Sequence, residues 1–318
     1  MNEISLVPQH LSPGQRAWQR FKCNRAGMLA AWYLAILLLV VVAWPVILKI
    51  SPAHFAQIHN PDELSNPQFM PPNAQCWFGT DLHGRDMFSR VLYGAQISLL
   101  IGVVGTLVSL LIGVLWGAIA GYTGGRTDEI MMRIVDALYS LPNIIFVSVL
   151  ITTATGILKR THLVQQSPEL GGMIRVVIIF VGLGAISWLT MARIVRGQVL
   201  SLRTRAFVEA SRALGARPHW ILAQHIIPNI FGVVITYLAL TMPAIILYES
   251  FLSYLGMGVQ PPMASWGTLI ANGVGEINPV RIYWWLILCP GVVLVTTLLA
   301  LNFLGDALRD AWDVKSRP

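Results

Sequence analysis

EASRALGARPHWILAQHIIPN, residues Glu209 to Asn229, is a charged, small-residue stretch with helix breakers, set between the apolar runs Met173–Ala192 and Ile230–Tyr248. The chain around it is greasy: 318 residues, 55% hydrophobic and only 12% charged. A soluble domain carries roughly a quarter charged residues, so the composition points to a membrane protein. In such a chain a polar stretch of this size belongs outside the lipid, and its reading depends on which side it faces.

Met28–Leu48 holds twelve Leu, Ile or Val residues and no charge. At membrane-insertion energies that is about −4 to −7 kcal/mol, and the run is long enough to cross about 30 Å of hydrocarbon. It is too long for a signal-peptide core, and no A-x-A site follows it. Further runs at Ala95–Tyr122, Met131–Ile157, Met173–Ala192, Ile230–Tyr248 and Tyr283–Leu304 bring the expectation to six transmembrane helices. An even number puts both ends of the chain on one side. With both ends cytoplasmic, the inner segments hold 15 of the 22 Lys and Arg residues, Lys315 and Arg317 of the tail among them. The positive-inside rule favours this orientation, with Glu209–Asn229 in the cytoplasm. Lys159 and Arg160 are the exception on the outer side.

Several features between and within the spans carry specific expectations. Gly113, Gly117 and Gly121 form a doubled small-xxx-small row, read as a close intrachain helix contact ahead of a subunit interface. FGTDLHGRDMFSR, Phe78 to Arg90, reads as an amphipathic segment on the outer surface. Thr80 or Asp81 caps it, and Met87, Val91 and Leu92 share one face; a metal site from Asp81, His83 and Asp86 is the weaker reading. Asp136 is expected to pair with Arg133 one turn away. Glu249 is expected at the outer end of the fifth span, as an interfacial carboxylate or in the lining of an outer vestibule. Cys76, in the loop after the first span, is expected to be open to a thiol reagent from outside, and Cys23 not. The cysteines Cys23, Cys76 and Cys289 give neither a disulfide framework nor a zinc spacing. His219 and His225 do not share a helix face, and HExxH is absent.

The span centres lack the charges that mark ion or proton relays. No GxxxxGK[ST], G-x-S-x-G or dinucleotide fingerprint is present, so neither an energy source nor a catalytic centre is readable. The basic residues are not gathered into an aromatic-interleaved patch, so no nucleic-acid partner is expected.

Within the opening stretch, Arg203 and Arg205 lead in, and Phe207, Ala210 and Leu214 recur at helical spacing. Gly215 permits a left-handed turn and Pro218 starts a second helix. Pro228 and Asn229 are expected to end that helix before the next span. The unit reads as a helix–turn–helix across the membrane face, whose small residues Ala210, Ser211 and Ala213 suit a cleft on another protein. An ordinary loop packed on its own bundle is the alternative.

The order Glu209, Ala210, Ser211, then Gly215, then Ile227 and Pro228 resembles the EAA loop of integral membrane subunits of bacterial ABC importers. Ser211 stands where the general pattern has a second Ala, and His225 where it has an apolar residue; HIIPN is the form of the peptide-importer branch. FGTDLHGRDMFSR, ISWLTMARIVRGQVLSLRTRAFVEA, YESFLSYLGMGVQPPMASWGTLIANG and NFLGDALRDAWD extend the resemblance to the C-type permease subunit of oligopeptide importers, from about residue 15 onward. The segment Lys159–Met173 departs from it in being longer.

The resemblance implies an all-α membrane protein with a type I ABC importer transmembrane domain (MetI-like), five core helices preceded by one more. It divides the chain into a cytoplasmic segment 1–27, a first span with outer loop 28–93, a type-1 domain 94–306 with its EAA loop at about 203–229, and a cytoplasmic tail 307–318. It implies a homologous second permease, two cytoplasmic ABC ATPases, and a periplasmic or lipid-anchored peptide-binding protein, all at a bacterial inner membrane. A coupling helix at about Ala206–Leu214 would meet the ATPase. Arg205, Phe207, Glu209, Ala210, Ser211, Leu214 and Gly215 carry that role, with no cofactor, no metal and no catalysis in this chain. Importers of dipeptides, glutathione, nickel or cationic peptides share these signatures. A secondary carrier and a membrane scaffold are the readings from other classes.

Overall fold

The computed structural model describes residues 13–62, 64, 66–160, 168–261 and 263–312. The tail positions Lys315 and Arg317 and residues 161–167 of the expected outer loop lie outside them. Among the described residues the fold is helical, and its one β feature is an isolated bridge between Thr80 and Asp86.

In chain order the helices are α1 (Pro13–Cys23), α2 (Arg25–Ile50), α3 (Ala53–Ile58), α4 (Met87–Thr123), α5 (Gly125–Tyr139), α6 (Asn143–Arg160) and α7 (Pro168–Leu202). Then come α8 (Ala206–Ala213), α9 (Pro218–Ile221), a π-turn at Leu222–Ile226, α10 (Ile227–Tyr254), α11 (Trp266–Gly275) and α12 (Trp285–Trp312). Five helical stretches are long and apolar enough to cross a membrane, and six spans result if the bent pair α5–α6 counts as one. Their outer faces suit lipid: α2 alone leaves Leu29, Leu39, Val42 and Ile50 exposed, an apolar strip that water would penalise.

Glycines set the closest contact. Along α4, a Cβ on Gly113 would meet Met191, one on Gly117 the Ala192 carbonyl oxygen, and one on Gly121 Val199 and the Arg196 carbonyl oxygen. On α7, Gly184 lies against Val108. The row therefore closes an intrachain seam, as expected, and both helices advance in the same direction along it. Parallel neighbours need a return crossing between them, and among the described residues α5–α6 is what lies between them in the chain. Elsewhere the pairs are antiparallel. Gly102 and Gly105 of α4 face Ile246 and Ile245 of α10, Gly232 and Gly305 tie α10 to α12 through Trp312 and Ala239, and Gly27 of α2 sits on Ala307 of α12. Tyr33 Oη, further along α2, bonds Thr296 Oγ1 at 2.7 Å. The start of α2, the ends of α4, α7 and α12, and the start of α10 thus share one end of the bundle, together with Glu209–Asn229.

Several expectations are corrected. The third span is not a straight helix over Met131–Ile157. It breaks at Ser140–Pro142, and α5 and α6 meet at a bend of 87°. Proline lacks the N–H for the ladder and disfavours helical geometry at Leu141 before it. Asp136 pairs not with Arg133 but with Arg193 of α7 (2.6 Å), and Arg133 takes Glu129 (2.6 Å). Phe78–Arg90 is not a separate surface helix either. Met87, Val91 and Leu92 share a buried face as expected, but they are the first turns of α4. Its cap is neither Thr80 nor Asp81 but Asp86, whose Oδ2 accepts from Ser89 N (3.1 Å), Ser89 Oγ (2.8 Å) and His59 Nδ1 (3.0 Å). Asp81 ties the preceding turn, accepting from the His83 and Arg85 N–H groups and from the Arg85 and Arg90 guanidinia. No cluster of His, Cys, Asp and Glu suited to a metal occurs among the described residues.

Cys76 is buried with no exposed surface, whereas Cys23 is exposed. Burial, with Asp86 nearby, pushes the Cys76 thiol up to about 11, so at pH 8 about one such thiol in a thousand is ionised. The expectation that it is open to reagent is therefore overturned.

The seam predicts an asymmetry between a glycine inside it and one outside it. Gly117→Ala places a methyl against the Ala192 backbone and should cost about 1–3 kcal/mol through overpacking. Gly197→Ala on α7 meets nothing within 4 Å and should be neutral or stabilising by about 0.5–1 kcal/mol, as Ala in a helix interior is. Thermal midpoints in one detergent check this, and equal midpoints for the two variants would contradict the seam.

Candidate functional site

The stretch that opened the sequence is built on two spans. α7 ends at Leu202, and Arg203 turns back so that its Nη1 donates to the Gly121 carbonyl at 3.2 Å. Arg205 takes the N-cap position in extended geometry, its carbonyl accepting from Val208 N and Glu209 N. α8 follows with eight residues, too short to persist alone in water. Val208, fully buried, anchors it in a core with Val199, Ile221, Ile226 and Ile230. Arg212 lies over the Tyr122 ring at 5.0 Å.

Gly215 ends the helix at φ +81, a left-handed conformation that a side chain disfavours. A Cβ there would meet nothing within 4 Å, so the backbone angle, not space, asks for glycine. Pro218 begins α9 in its first turn, as expected. Pro228 and Asn229 do not end a helix. α9 passes through the π-turn straight into α10, with Pro228 in the first turn of α10.

The seven residues singled out from the sequence fall on this one element, and they point away from the bundle. Leu214 is 88% exposed and Phe207 41% exposed. Arg205, Glu209, Ala210 and Gly215 are exposed and Ser211 half-buried, its Oγ donating to the Phe207 carbonyl at 2.9 Å. Glu209, in the first turn, is favourably placed for the helix dipole and has no ion pair among the described residues. The apolar stripe Phe207–Ala210–Leu214 therefore covers no core of this chain. Val208, which sequence spacing did not single out, does the anchoring; its signal was the single β-branched residue between two exposed ones. Trp220 and His225 add an edge-to-face pair at 5.0 Å beside the stripe.

Two ion pairs hold α5 against α7 near this end. Arg196 grips Asp128 with two hydrogen bonds, Nη2 to Oδ2 at 2.7 Å, and Arg193 takes Asp136 while lying 4.2 Å from the Tyr139 ring centre. Forked pairs of this kind fix geometry as well as energy.

At the far end of α10, Glu249 is neither interfacial nor exposed: it has no solvent-accessible surface. Ser253 Oγ donates to its Oε1 at 2.6 Å and Ser98 Oγ to its Oε2 at 3.3 Å. Those hydroxyls accept in turn from Val259 N and Trp266 N, and Ser265, the N-cap of α11, donates to Ser253. A carboxyl thus fastens Val259 in the loop after α10, and the start of α11, to α4 and α10. Three serines at helical or capping positions around one acid were the available signal, but they lie on three elements far apart in the chain.

Known proteins agree with this architecture. Residues 113–317 match the family described as binding-protein-dependent transport system inner membrane component, and residues 12–72 match the N-terminal TM domain of oligopeptide transport permease C. The dipeptide transport system permease protein DppC of Bacillus subtilis is 41% identical over 96% of this chain and 87% of its own length. The oligopeptide transport system permease proteins OppC of Haemophilus influenzae and Escherichia coli are 39% and 38% identical, over 96% of this chain and 90% and 93% of theirs. A solved structure of the MetNI methionine ABC transporter in an inward-facing conformation superposes with a TM-score of 0.54 at 21% identity, covering 71% of this chain and 98% of that one; that likeness bears on the fold. With profile and relatives both spanning most of its length, the chain belongs to the binding-protein-dependent transport system inner membrane component family, in the branch of the oligopeptide permease C subunits.

Proposed function

We propose that this chain is one transmembrane half of an ATP-driven peptide importer, and that α8 with its flanking turn is where ATPase closure enters it. The observation that carries the reading is the exposed Phe207–Ala210–Leu214 stripe on a helix anchored by Val208. An unpartnered apolar surface at the polar end of a membrane bundle calls for cover. Because α8 is joined to α7 on one side and to α10 on the other, a pull on it reaches two spans at once, as a two-state rearrangement of packed helices requires. Small Ala210 and Ser211 let a groove approach the helix closely, Gly215 sets the exit angle, and Glu209 meets a basic partner.

Relatives near 40% identity divide between dipeptide and oligopeptide permeases, so peptides are the substrate class. On this reading the chain hydrolyses nothing itself and works with two ATPases, a homologous second permease and an extracytoplasmic binding protein that selects the peptide. The chain's ends and Glu209–Asn229 lie in the cytoplasm of a bacterial inner membrane. A secondary carrier would instead move substrate without ATP through the purified chain alone.

The docking role is tested by two variants on exposed positions. Gly215→Leu forces a branched residue into the left-handed region at about 1–2 kcal/mol locally. Glu209→Lys reverses a contact charge, where juxtaposed like charges cost several kcal/mol. Both should leave the permease folded, with a thermal midpoint lowered by no more than about 2–4 °C per kcal/mol, while losing the ATPases on co-purification and losing peptide uptake. Full ATPase binding and uptake in both variants would make the stretch an ordinary loop, and loss of the midpoint in both would assign it to the bundle's own packing.

Orientation has its own test. Because Cys76 is buried, exposed Ala74 is the better reporter. In right-side-out vesicles an impermeant maleimide should label Ala74→Cys and spare Cys23, and native Cys76 should react only after denaturation. Labelling of Cys23 with Ala74→Cys spared would invert the topology.

A further inference from the structure

A cavity of about 520 Å³ opens at the end of the bundle opposite α8, in the size range of small-ligand sites. α10 separates the two places by its 28 residues, about 40 Å. One wall is the turn before α4 with Arg85, continued by Arg90 in the first turn of α4; the facing wall is α11, from Thr268 through Asn272 to its C-cap Glu276. Met87, Met263, Leu269 and Leu286 supply apolar lining.

The charges on these walls are unequal and separate. Asp81 is shared by both guanidinia, Arg85 at 2.8 Å and Arg90 at 3.1 Å, and Asp62 acts on Arg90 from further off without forming an ion pair with it, so at hydrogen-bond range one carboxylate serves two cations. Arg90 is more than nine-tenths buried, and its Nε is buried without a hydrogen-bond partner. Glu276 is the C-cap of α11 and has no ion pair among the described residues. It adds a carboxylate to the negative end of a helix dipole, a pairing unfavourable in itself and favourable to a cation arriving there. The start of α11 is pinned near Arg90, where Trp266 Nε1 donates to the Val91 carbonyl at 3.1 Å. Glu276 stands ten residues further along, about 15 Å away. With both side chains reaching inward, that leaves room for an extended segment of about three residues, roughly 10 Å long.

We infer that this cavity is a binding site for short peptides with both termini free, the α-carboxylate held at Arg85 and Arg90 and the α-ammonium at Glu276. This deepens the importer reading and rests on it. The chain would then take part in receiving the peptide on the side where a binding protein releases it.

The test uses the complex with its second permease and ATPases in nanodiscs, without the binding protein. Equilibrium dialysis measures trialanine, N-acetyl-trialanine and trialanine amide. Trialanine should bind, and blocking either terminus should weaken it about tenfold, the loss of one charge-assisted contact. Glu276→Gln should erase the discrimination against N-acetylation and keep that against amidation. Asn272→Trp, at an exposed lining position, should fill the cavity and abolish binding at an unchanged thermal midpoint. No trialanine binding by the wild-type complex, or unchanged discrimination in Glu276→Gln, overturns the site; the conservative variant decides the matter if Asn272→Trp misfolds. If Asn272→Trp keeps trialanine binding but loses stimulation of ATP hydrolysis by the binding protein, the cavity receives that protein and the proposal falls. Uptake by the complete wild-type system separates the two levels: peptide uptake with unaffected cavity variants rejects the cavity alone, and no uptake of any peptide rejects the importer reading.

Discussion

The contact between α4 and α7 is the constraint on which the rest of the bundle depends. Two helices that advance in parallel, with glycine Cα atoms against backbone carbonyls, leave no room for a side chain at Gly117. In lipid there is little hydrophobic drive to bring spans together, so close packing of this kind supplies much of the association energy. Once α4 and α7 are parallel, the chain between them must cross back, and the α5–α6 pair with its bend of 87° is what accomplishes this. The antiparallel contacts of α10 with α4, of α12 with α10 and of α2 with α12 then follow, and they bring the start of α2, the ends of α4, α7 and α12 and the start of α10 to one end.

Two ion pairs stiffen that end. Asp128–Arg196 and Asp136–Arg193 cross from α5 to α7, clamping the start of the bent span to the end of the seam. Breaking one partner of such a pair leaves the other unpaired, and the cost rises with burial; Asp128, the more buried of the two acids, is held by two bonds. α8 therefore hangs from a stiffened corner. Its apolar stripe faces away from that corner because Val208 alone turns inward.

The spans, the glycine row, the left-handed turn at Gly215 and the helix around Glu209 were legible because each is written in local pattern: apolar runs, four-residue spacing, or a residue with special φ. What was not legible depended on which elements meet. Arg133 and Asp136 sit at helical spacing, yet the nearer partners in space are Glu129 and Arg193. A proline two residues after a turn signal bends a span in the middle of an apolar run, where hydropathy is blind to it. Asp86 outcompetes Thr80 and Asp81 as a cap because His59, distant in sequence, steadies it. Cys76 and Glu249 read as exposed or interfacial from their place in the chain, but the first is buried in the segment between α3 and α4, and three serines from α4, α10 and the cap of α11 surround the second. In the candidate site the residues singled out from the sequence fall together on α8 and its flanking turns, whereas the anchor, Val208, was not legible, since burial of a lone valine is decided by Ile221 and Ile226 beyond the turn.

α10 joins the two places where this chain meets other molecules on the readings above. It starts in the π-turn behind α8 and ends one turn beyond Glu249, beside the cavity. A π-turn adds a residue to the helical ladder and is a common site of adjustment. Pro243, buried midway along α10, removes one ladder bond and is a second place for the helix to bend. Beyond it the helix is fixed: Glu249 binds both Ser98 of α4 and the hydroxyl that holds the 255–265 loop. A displacement of α8 is therefore passed to a rod with two defined points of flexure and a far end that cannot slip relative to α11. Since α11 forms a wall of the cavity, on the importer reading a motion at α8 would change the width of that cavity through covalent chain and five serine and carboxyl hydrogen bonds, with no wire of side chains through the bundle required.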